Sequence, residues 1–146
     1  MRRALLLILL GLGACVRLDF GRKVGDDELR LRREVEGYYV DVAAAFAAGS
    51  PDALTRLFDP SITKPMNEEK IHAWAREFFG KHGPARFKIE KLEFDRLGYE
   101  SAVVTMTYRV ETKDGKGSFG GVERDELARK RGRWLMTAWE KVSDVP

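Results

Sequence analysis

The sequence has few of the side chains that build metal centres and disulfide bridges. Among 146 residues there are one cysteine and two histidines. A single cysteine cannot form an intramolecular disulfide, and so few soft ligands argue against a zinc site. A chain of this length can bury a sufficient hydrophobic core without such cross-links. We therefore expect one domain with no metal and no other cofactor.

The chain also lacks a strong excess of either charge. Its formal net charge is +3, from 26 Lys and Arg against 23 Asp and Glu. Because Arg2 and Arg3 lie in the first 14 residues, the rest of the chain has 24 basic and 23 acidic residues and a formal charge of +1. Nucleic-acid-binding surfaces are usually strongly basic, so we expect no nucleic-acid partner.

The longest apolar run lies at the N-terminus. Arg2 and Arg3 precede apolar and small residues through position 14, and Cys15 follows. This pattern is typical of a secretory signal, and the run is shorter than the ~20 residues that cross a bilayer. Residues 12–15, Leu-Gly-Ala-Cys, resemble the lipobox of bacterial lipoproteins. The resemblance implies cleavage after residue 14 and lipidation of Cys15; an ordinary signal peptide with a chance cysteine is the alternative.

The residue after the cysteine bears on the destination of such a lipoprotein. Val16 stands where an aspartate would, by resemblance to the enterobacterial sorting pattern, favour the inner membrane. The resemblance therefore implies an outer-membrane lipoprotein that faces the periplasm and contacts the membrane through its lipid anchor. We assign residues 15–26 to a tether and residues 27–146 to the folded domain.

Apolar residues at helical spacing predict three helices in the first half of the domain. The first spans residues 27–48 and ends at Gly49, while Ser50 and Asn67 are predicted N-caps of the second and third helices. The predicted buried face of the first helix consists of Leu31, Val35, Tyr38, Tyr39, Val42, Ala45 and Phe46. Residues 61–65 are predicted to form a short edge strand between the second and third helices.

The stretch from Phe87 to Val142 alternates apolar and polar residues with period two, which predicts four antiparallel strands. A bulge near residues 90–91 would bring the two halves of the first strand onto one face. In the last strand, strict alternation places Trp134 and Met136 on one face and Trp139 on the other. The predicted fold class is α+β, with three helices on a curved antiparallel sheet.

This order of elements resembles the nuclear transport factor 2-like (NTF2-like) superfamily, also called SnoaL-like or ketosteroid-isomerase-like. The residues that carry the resemblance are the long first helix, the Gly-Ser-Pro-Asp-Ala-Leu junction at 49–54 and the Arg-Gly-Arg-Trp sequence at 131–134. The resemblance covers residues 27–142. It implies a cone with an apolar pocket, and relatives often dimerise through the open face of the sheet, so a homodimer is expected.

Within such a cone, bulky side chains could either fill the core or line a pocket for a small apolar ligand. The candidate ligand-binding residues are Tyr38, Phe46, Trp74, Phe78, Met106, Tyr108 and Trp139. Such residues more often fill a hydrophobic core than line a ligand pocket. The two histidines, His72 and His82, are predicted to lie on the surface.

Three acids are candidates for a general base, which a catalytic relative would need inside the pocket. Asp41 lies near Tyr38 on the first helix, and Glu123 and Asp125 share one face of the third strand. A solvated strand face is the more common setting for such acids. The sequence therefore favours a non-catalytic lipoprotein that binds a small apolar ligand or an envelope protein. The alternatives are an isomerase, cyclase or dehydratase, and a structural lipoprotein with a filled pocket.

Overall fold

The computed structural model describes residues 25–145, so the predicted signal sequence, Cys15 and most of the predicted tether lie outside the described residues. The elements are α1 (Asp26–Ala48), α2 (Pro51–Thr55), α3 (Glu68–His82), β1 (Ala85–Leu97), β2 (Ser101–Thr112), β3 (Phe119–Lys130) and β4 (Arg133–Asp144). The strands form one antiparallel sheet in the order β1-β2-β3-β4. The predicted α+β architecture is confirmed.

The helix ends follow local capping rules. Ser50 Oγ accepts a hydrogen bond from Ala53 N at 3.1 Å, and Asn67 Oδ1 accepts one from Lys70 N at 3.0 Å. Gly49 ends α1 in the left-handed region, at φ 59°, where a residue without Cβ is favoured. The predicted first helix and the predicted starts of the second and third helices are confirmed to within about one residue, whereas α2 ends at Thr55, earlier than the predicted stop at Asp59. No helix within residues 25–145 is both long and apolar enough to cross a bilayer.

Helix α1 lies across the sheet with the predicted face inward. All seven residues predicted for that face are buried, and Val35 has no exposed surface. At the helix edge, Glu34 forms an ion pair with Arg129 on β3. The guanidinium of Arg129 also lies 5.0 Å from the ring centroid of Trp134 on β4. Arg129 therefore links the edge of α1 to β3 and β4.

Four irregularities shift the register of the sheet, two between β1 and β2 and two between β3 and β4, and one of each pair bears on a prediction. The β1–β2 pairing shifts between Ile89 and Lys91, which confirms the predicted bulge. A second shift pairs Glu126 with Ala138 but Leu127 with Met136, so Thr137 is an extra residue in β4. An extra residue reverses the alternation of the side chains that follow it. The prediction that Trp139 faces away from Met136 was therefore wrong.

The segment after α2 does not form the predicted edge strand at residues 61–65. Instead, Asp59 accepts hydrogen bonds from the backbone N and the hydroxyl of Ser61, at 2.8 and 2.6 Å. These hydrogen bonds turn the chain, and they hold the pKa of Asp59 below its usual value. Just before this turn, an isolated bridge pairs Phe58 with Met136 of β4, and Asp59 forms an ion pair with Lys130 of β3.

The two faces of the sheet differ in polarity. The inner face of β2 is buried and packs under the helices, at Val104, Met106, Tyr108 and Val110. On the outer face, Arg124 lies 3.7 to 3.9 Å from carboxylates of Asp95, Glu126 and Glu140. Homodimerisation through this outer face remains a prediction.

Candidate functional site

A cavity of about 190 Å³ lies between the helices and the inner face of the sheet. It is partly open to solvent, and Trp74 on α3, at 39% exposed, is the most exposed aromatic residue of its lining. The lining consists of Tyr38, Tyr39, Val42, Phe46, Leu54, Phe58, Met66, Ile71, Trp74, Phe87, Met106, Tyr108, Glu123, Met136 and Trp139. The cone is therefore not completely filled by its own side chains.

Aromatic contacts between elements form the walls of the cavity. Phe46 on α1 stacks on Phe87 of β1, with 5.3 Å between the ring centroids, and Phe87 stacks on Tyr108 of β2 at 5.5 Å. On the other side, Phe58 packs against Trp139 of β4, edge to face, at 5.4 Å. Such rings hold one another in fixed orientations, so the walls are formed before any ligand binds.

Glu123 on β3 provides the carboxyl group of the lining. Tyr108 donates a hydrogen bond from its hydroxyl to Glu123 Oε1 at 2.7 Å. Burial raises the pKa of Glu123, although the Tyr108 hydrogen bond and the Lys141 ammonium oppose the rise. The same pairing raises the pKa of Tyr108, because burial and the neighbouring carboxylate both disfavour a phenolate. Glu123 is therefore easier to protonate than an exposed glutamate.

A second acid–tyrosine pair lies behind the first. Asp125 has no exposed surface, and its Oδ2 accepts a hydrogen bond from Tyr39 of α1 at 2.7 Å. Its Oδ1 has no hydrogen-bond partner among the described residues. Burial raises the pKa of Asp125 to about 7, and the nearby Glu123 adds to the rise. Tyr39 contributes to the cavity wall, so the two pairs form one polar cluster.

The structure places the three candidate acids differently. Asp41 is exposed on α1 and does not line the cavity. Glu123 lines the cavity and Asp125 is fully buried. The expectation of a solvated strand face for these two residues was wrong, because tyrosines on β2 and α1 provide the hydrogen bonds that water would otherwise make.

Of the seven residues predicted to bind a ligand, six line the cavity and Phe78 does not. Phe78 is buried and packs on Phe46 and Trp74, with centroid separations of 6.2 and 5.3 Å, so it supports the wall. Sequence reasoning did not identify Phe58 and Met66 as lining residues. The ligand-binding role of the whole set remains a prediction.

The histidines lie apart from the cavity. His72 Nε2 lies 2.9 Å from Asp52 Oδ1 on the surface. His82 is only 12% exposed in its side chain, which contradicts the surface prediction. It lies beneath Gly117, where a Cβ would lie 2.5 Å from the imidazole ring. No group of three or more potential metal ligands occurs within residues 25–145.

Solved structures share this fold at low sequence identity. An NTF2-like protein of unknown function from Shewanella oneidensis has a TM-score of 0.62 and 15% identity, over 74% of this chain and 95% of that one. A protein described as a candidate aromatic ring hydroxylase from Novosphingobium aromaticivorans has a TM-score of 0.65 and 14% identity, over 81% and 92%. Bd1075 from Bdellovibrio bacteriovorus has a TM-score of 0.68 and 10% identity over 82% of this chain, which spans 42% of that protein.

No protein-family model and no curated protein matches the sequence. At identities this low, the solved structures establish the fold alone. The fold is an NTF2-like α+β cone, as the sequence predicted.

Proposed function

We propose that the protein binds a small, mainly apolar molecule in the cone and holds its polar group at Glu123. The observation that carries this proposal is the partly open cavity, in which aromatic walls converge on one carboxyl group. Ligand sites commonly combine an apolar lining with a few placed polar groups. An engineered apolar cavity of ~150 Å³ accepts benzene, so a cavity of about 190 Å³ is large enough for one ring with a short substituent.

The cavity also distinguishes this proposal from a structural lipoprotein with a filled pocket. Interiors are normally packed to crystal-like density, and empty volume in a core is destabilising. A cone that served only as a scaffold would gain stability if larger side chains filled this space. Met66, Met106 and Met136, which are flexible side chains able to adapt to a ligand, line the cavity instead.

Proton transfer is the second candidate function, and Glu123 is the observation that favours it. A general base works best when its pKa lies near the working pH, and burial raises the pKa of Glu123. Tyr108 holds the carboxyl in one orientation at 2.7 Å. A substrate with an acidic C–H bond could transfer its proton to this carboxylate. Glu123→Gln would then abolish turnover but leave substrate binding, which separates an enzyme from a simple binder.

Native mass spectrometry of the protein purified from a cell extract tests the binding proposal. We expect a discrete small-molecule mass on the wild-type protein. Met106→Phe enlarges a lining residue of β2 and is expected to remove that mass. Thr107→Val is the matched control, because Thr107 points to the opposite face of the same strand. A wild-type protein without bound mass that also fails to bind ethylbenzene in titrations would contradict the proposal.

We further propose that this cone works at the outer membrane on the periplasmic side, held by acyl chains on Cys15. The lipobox-like sequence and the absence of any second cysteine support this proposal. Intact mass spectrometry of membrane-extracted protein is expected to show loss of residues 1–14 and added acyl mass. Cys15→Ser is the control, and an unmodified wild-type Cys15 would contradict the anchor.

A further inference from the structure

The polar atoms of the cavity are mostly hydrogen-bond acceptors. Three tyrosine hydroxyls reach its wall, and each directs its hydrogen to a protein acceptor: Tyr38 to Leu57 O at 3.2 Å, Tyr39 to Asp125 and Tyr108 to Glu123, both at 2.7 Å. Among residues 25–145, the lining contains no Lys, Arg, His, Asn, Gln, Ser or Thr. Apart from two indole N–H groups, and with Glu123 ionised, the side chains of the lining can therefore only accept hydrogen bonds from a ligand.

The walls of the cavity also favour positive charge. Eight of its fifteen lining residues are aromatic. The face of an aromatic ring is negative and attracts cations within about 6 Å of its centroid, most strongly when water is excluded. The lining includes the rings of Phe46, Phe87 and Tyr108, which stack on one another, and the edge-to-face pair of Phe58 and Trp139.

The carboxyl groups have little compensating charge in the protein. Glu123 lines the cavity, and Asp125 lies two residues further along the same face of β3. Lys141 is the cation that acts on Glu123 from β4. Its side chain is 57% exposed, and it forms an ion pair with Asp144, so solvent and that partner weaken its effect. A cation inside the cavity would meet Glu123 in a drier environment.

We infer that the ligand of this cavity is a small organic amine, bound as its ammonium ion, with an apolar body about the size of one aromatic ring. The inference rests on the proposed ligand-binding function and specifies its ligand class. In this complex the ammonium donates hydrogen bonds to the Glu123 carboxylate, while the apolar body packs against the aromatic walls. Anionic ligands are excluded because they would face Glu123 and Asp125 with no basic residue in the lining.

This inference implies that binding depends on pH. Burial raises the pKa of Glu123, so the empty site is partly protonated at a pH where an exposed glutamate is ionised. An ammonium ion requires the carboxylate, so its affinity falls when the pH is lowered through the raised pKa. The titratable groups that interact with Glu123 are Tyr39 from α1, Tyr108 from β2, Asp125 from β3 and Lys141 from β4, and Asp144 of β4 acts on Tyr108. A neutral ligand serves as the control, because its affinity reports how the titration of these groups alone changes the site.

Calorimetric titration of the full chain with three probes of similar size tests the inference. The probes are benzylamine, benzyl alcohol and benzoate, which are cationic, neutral and anionic at about pH 8. We expect benzylamine to bind at least about tenfold more tightly than benzyl alcohol, and benzoate to bind least. The preference is expected to shrink as the pH is lowered through the raised pKa of Glu123, because the empty site then loses its carboxylate.

Glu123→Gln provides the matched variant, since its amide oxygen can still accept the Tyr108 hydrogen bond. It is expected to remove the roughly tenfold advantage of benzylamine and to change benzyl alcohol affinity by less than about twofold. Retained benzyl alcohol binding shows that the variant is folded. Glu126→Gln, on the outer face of the same strand, is expected to change neither affinity.

The outcomes separate this inference from the proposed function. Equal affinities for benzylamine and benzyl alcohol in the wild-type protein would overturn the amine inference and leave the ligand-binding proposal intact. Retention of the amine preference in Glu123→Gln would also overturn it. Failure of all three probes to bind would overturn the inference, and a wild-type protein that in addition carries no bound mass and fails to bind ethylbenzene would contradict the proposed function as well.

Discussion

Replacing Asp125 by asparagine is expected to stabilise the protein at alkaline pH. Asp125 has no exposed surface, and only one of its carboxyl oxygens has a hydrogen-bond partner among the described residues, the hydroxyl of Tyr39. Burial raises its pKa from 3.8 to about 7. Asparagine has nearly the shape of the protonated acid and cannot ionise, so the variant avoids a buried negative charge.

The magnitude follows from linkage between protonation and folding. Because the pKa of Asp125 is higher in the folded state, its protonation favours folding fully below pH ~4, and this stability is lost as the pH rises to ~7. Each pKa unit corresponds to about 1.4 kcal/mol, so ionisation of Asp125 costs about 4 kcal/mol in total and about 3 kcal/mol of that between pH ~5 and ~8. The buried amide N–H group of asparagine adds a cost of about 1–3 kcal/mol that does not vary with pH.

Urea denaturation of the wild-type protein and Asp125→Asn at about pH 5 and pH 8 measures this effect. The difference in free energy of unfolding between the two proteins is expected to shift by about 3 kcal/mol in favour of the variant between these pH values, with similar denaturant slopes. Glu126→Gln is the matched control, because Glu126 is exposed on the next position of the same strand. Its stability difference from the wild type is expected to change by less than about 0.5 kcal/mol.

A constant difference between wild type and Asp125→Asn across this pH range would refute the reasoning. It would mean that Asp125 ionises equally readily in the folded and unfolded states, and that burial does not control its pKa. The same shift in Glu126→Gln would show instead that the effect does not belong to the buried site.

Three further changes test other parts of the structure by denaturant unfolding. Tyr39→Phe removes the hydroxyl that donates to Asp125 and is expected to cost about 1–3 kcal/mol, more at alkaline pH, where the carboxylate needs that donor; equal losses at acidic and alkaline pH would contradict this. Asn67→Ala removes the side-chain acceptor of Lys70 N and is expected to cost about 1 kcal/mol, whereas an unchanged midpoint would mean that the cap contributes nothing. Gly37→Ala adds a methyl group at an exposed position of α1 with open space around it and is expected to stabilise the protein by about 0.5–1 kcal/mol; a loss of stability would indicate an unrecognised contact.

The sequence predicted the parts of the fold that depend on neighbouring residues. The caps at Ser50 and Asn67 could be located because the capping side chain and the backbone N–H that it accepts lie three residues apart. The buried face of α1 followed from helical spacing, and the bulge near Glu90 followed from a change of parity in β1. In each case the physical signal spans only a few residues.

The irregular positions of the fold could not be predicted in this way. The bulge at Thr137 leaves no mark in the composition of β4, so Trp139 was assigned to the wrong face. Residues 61–65 have the composition of a short strand, but the Asp59 carboxylate turns the chain through Ser61. Such features depend on which partner strand is available and on whether other hydrogen bonds replace those of strand pairing.

What the sequence determined by itself was the order of three helices and four antiparallel strands, because the periods of its apolar residues specify the type of each element and which face of it must be buried. It also placed Glu123 and Asp125 on one face of a strand, yet alternation alone cannot say which face is buried. Only the tertiary structure decided that they point inward, since the tyrosine that supports Asp125 lies 86 residues away in the sequence. The tertiary structure also determines the cavity, because its volume depends on how aromatic residues from separate elements pack together.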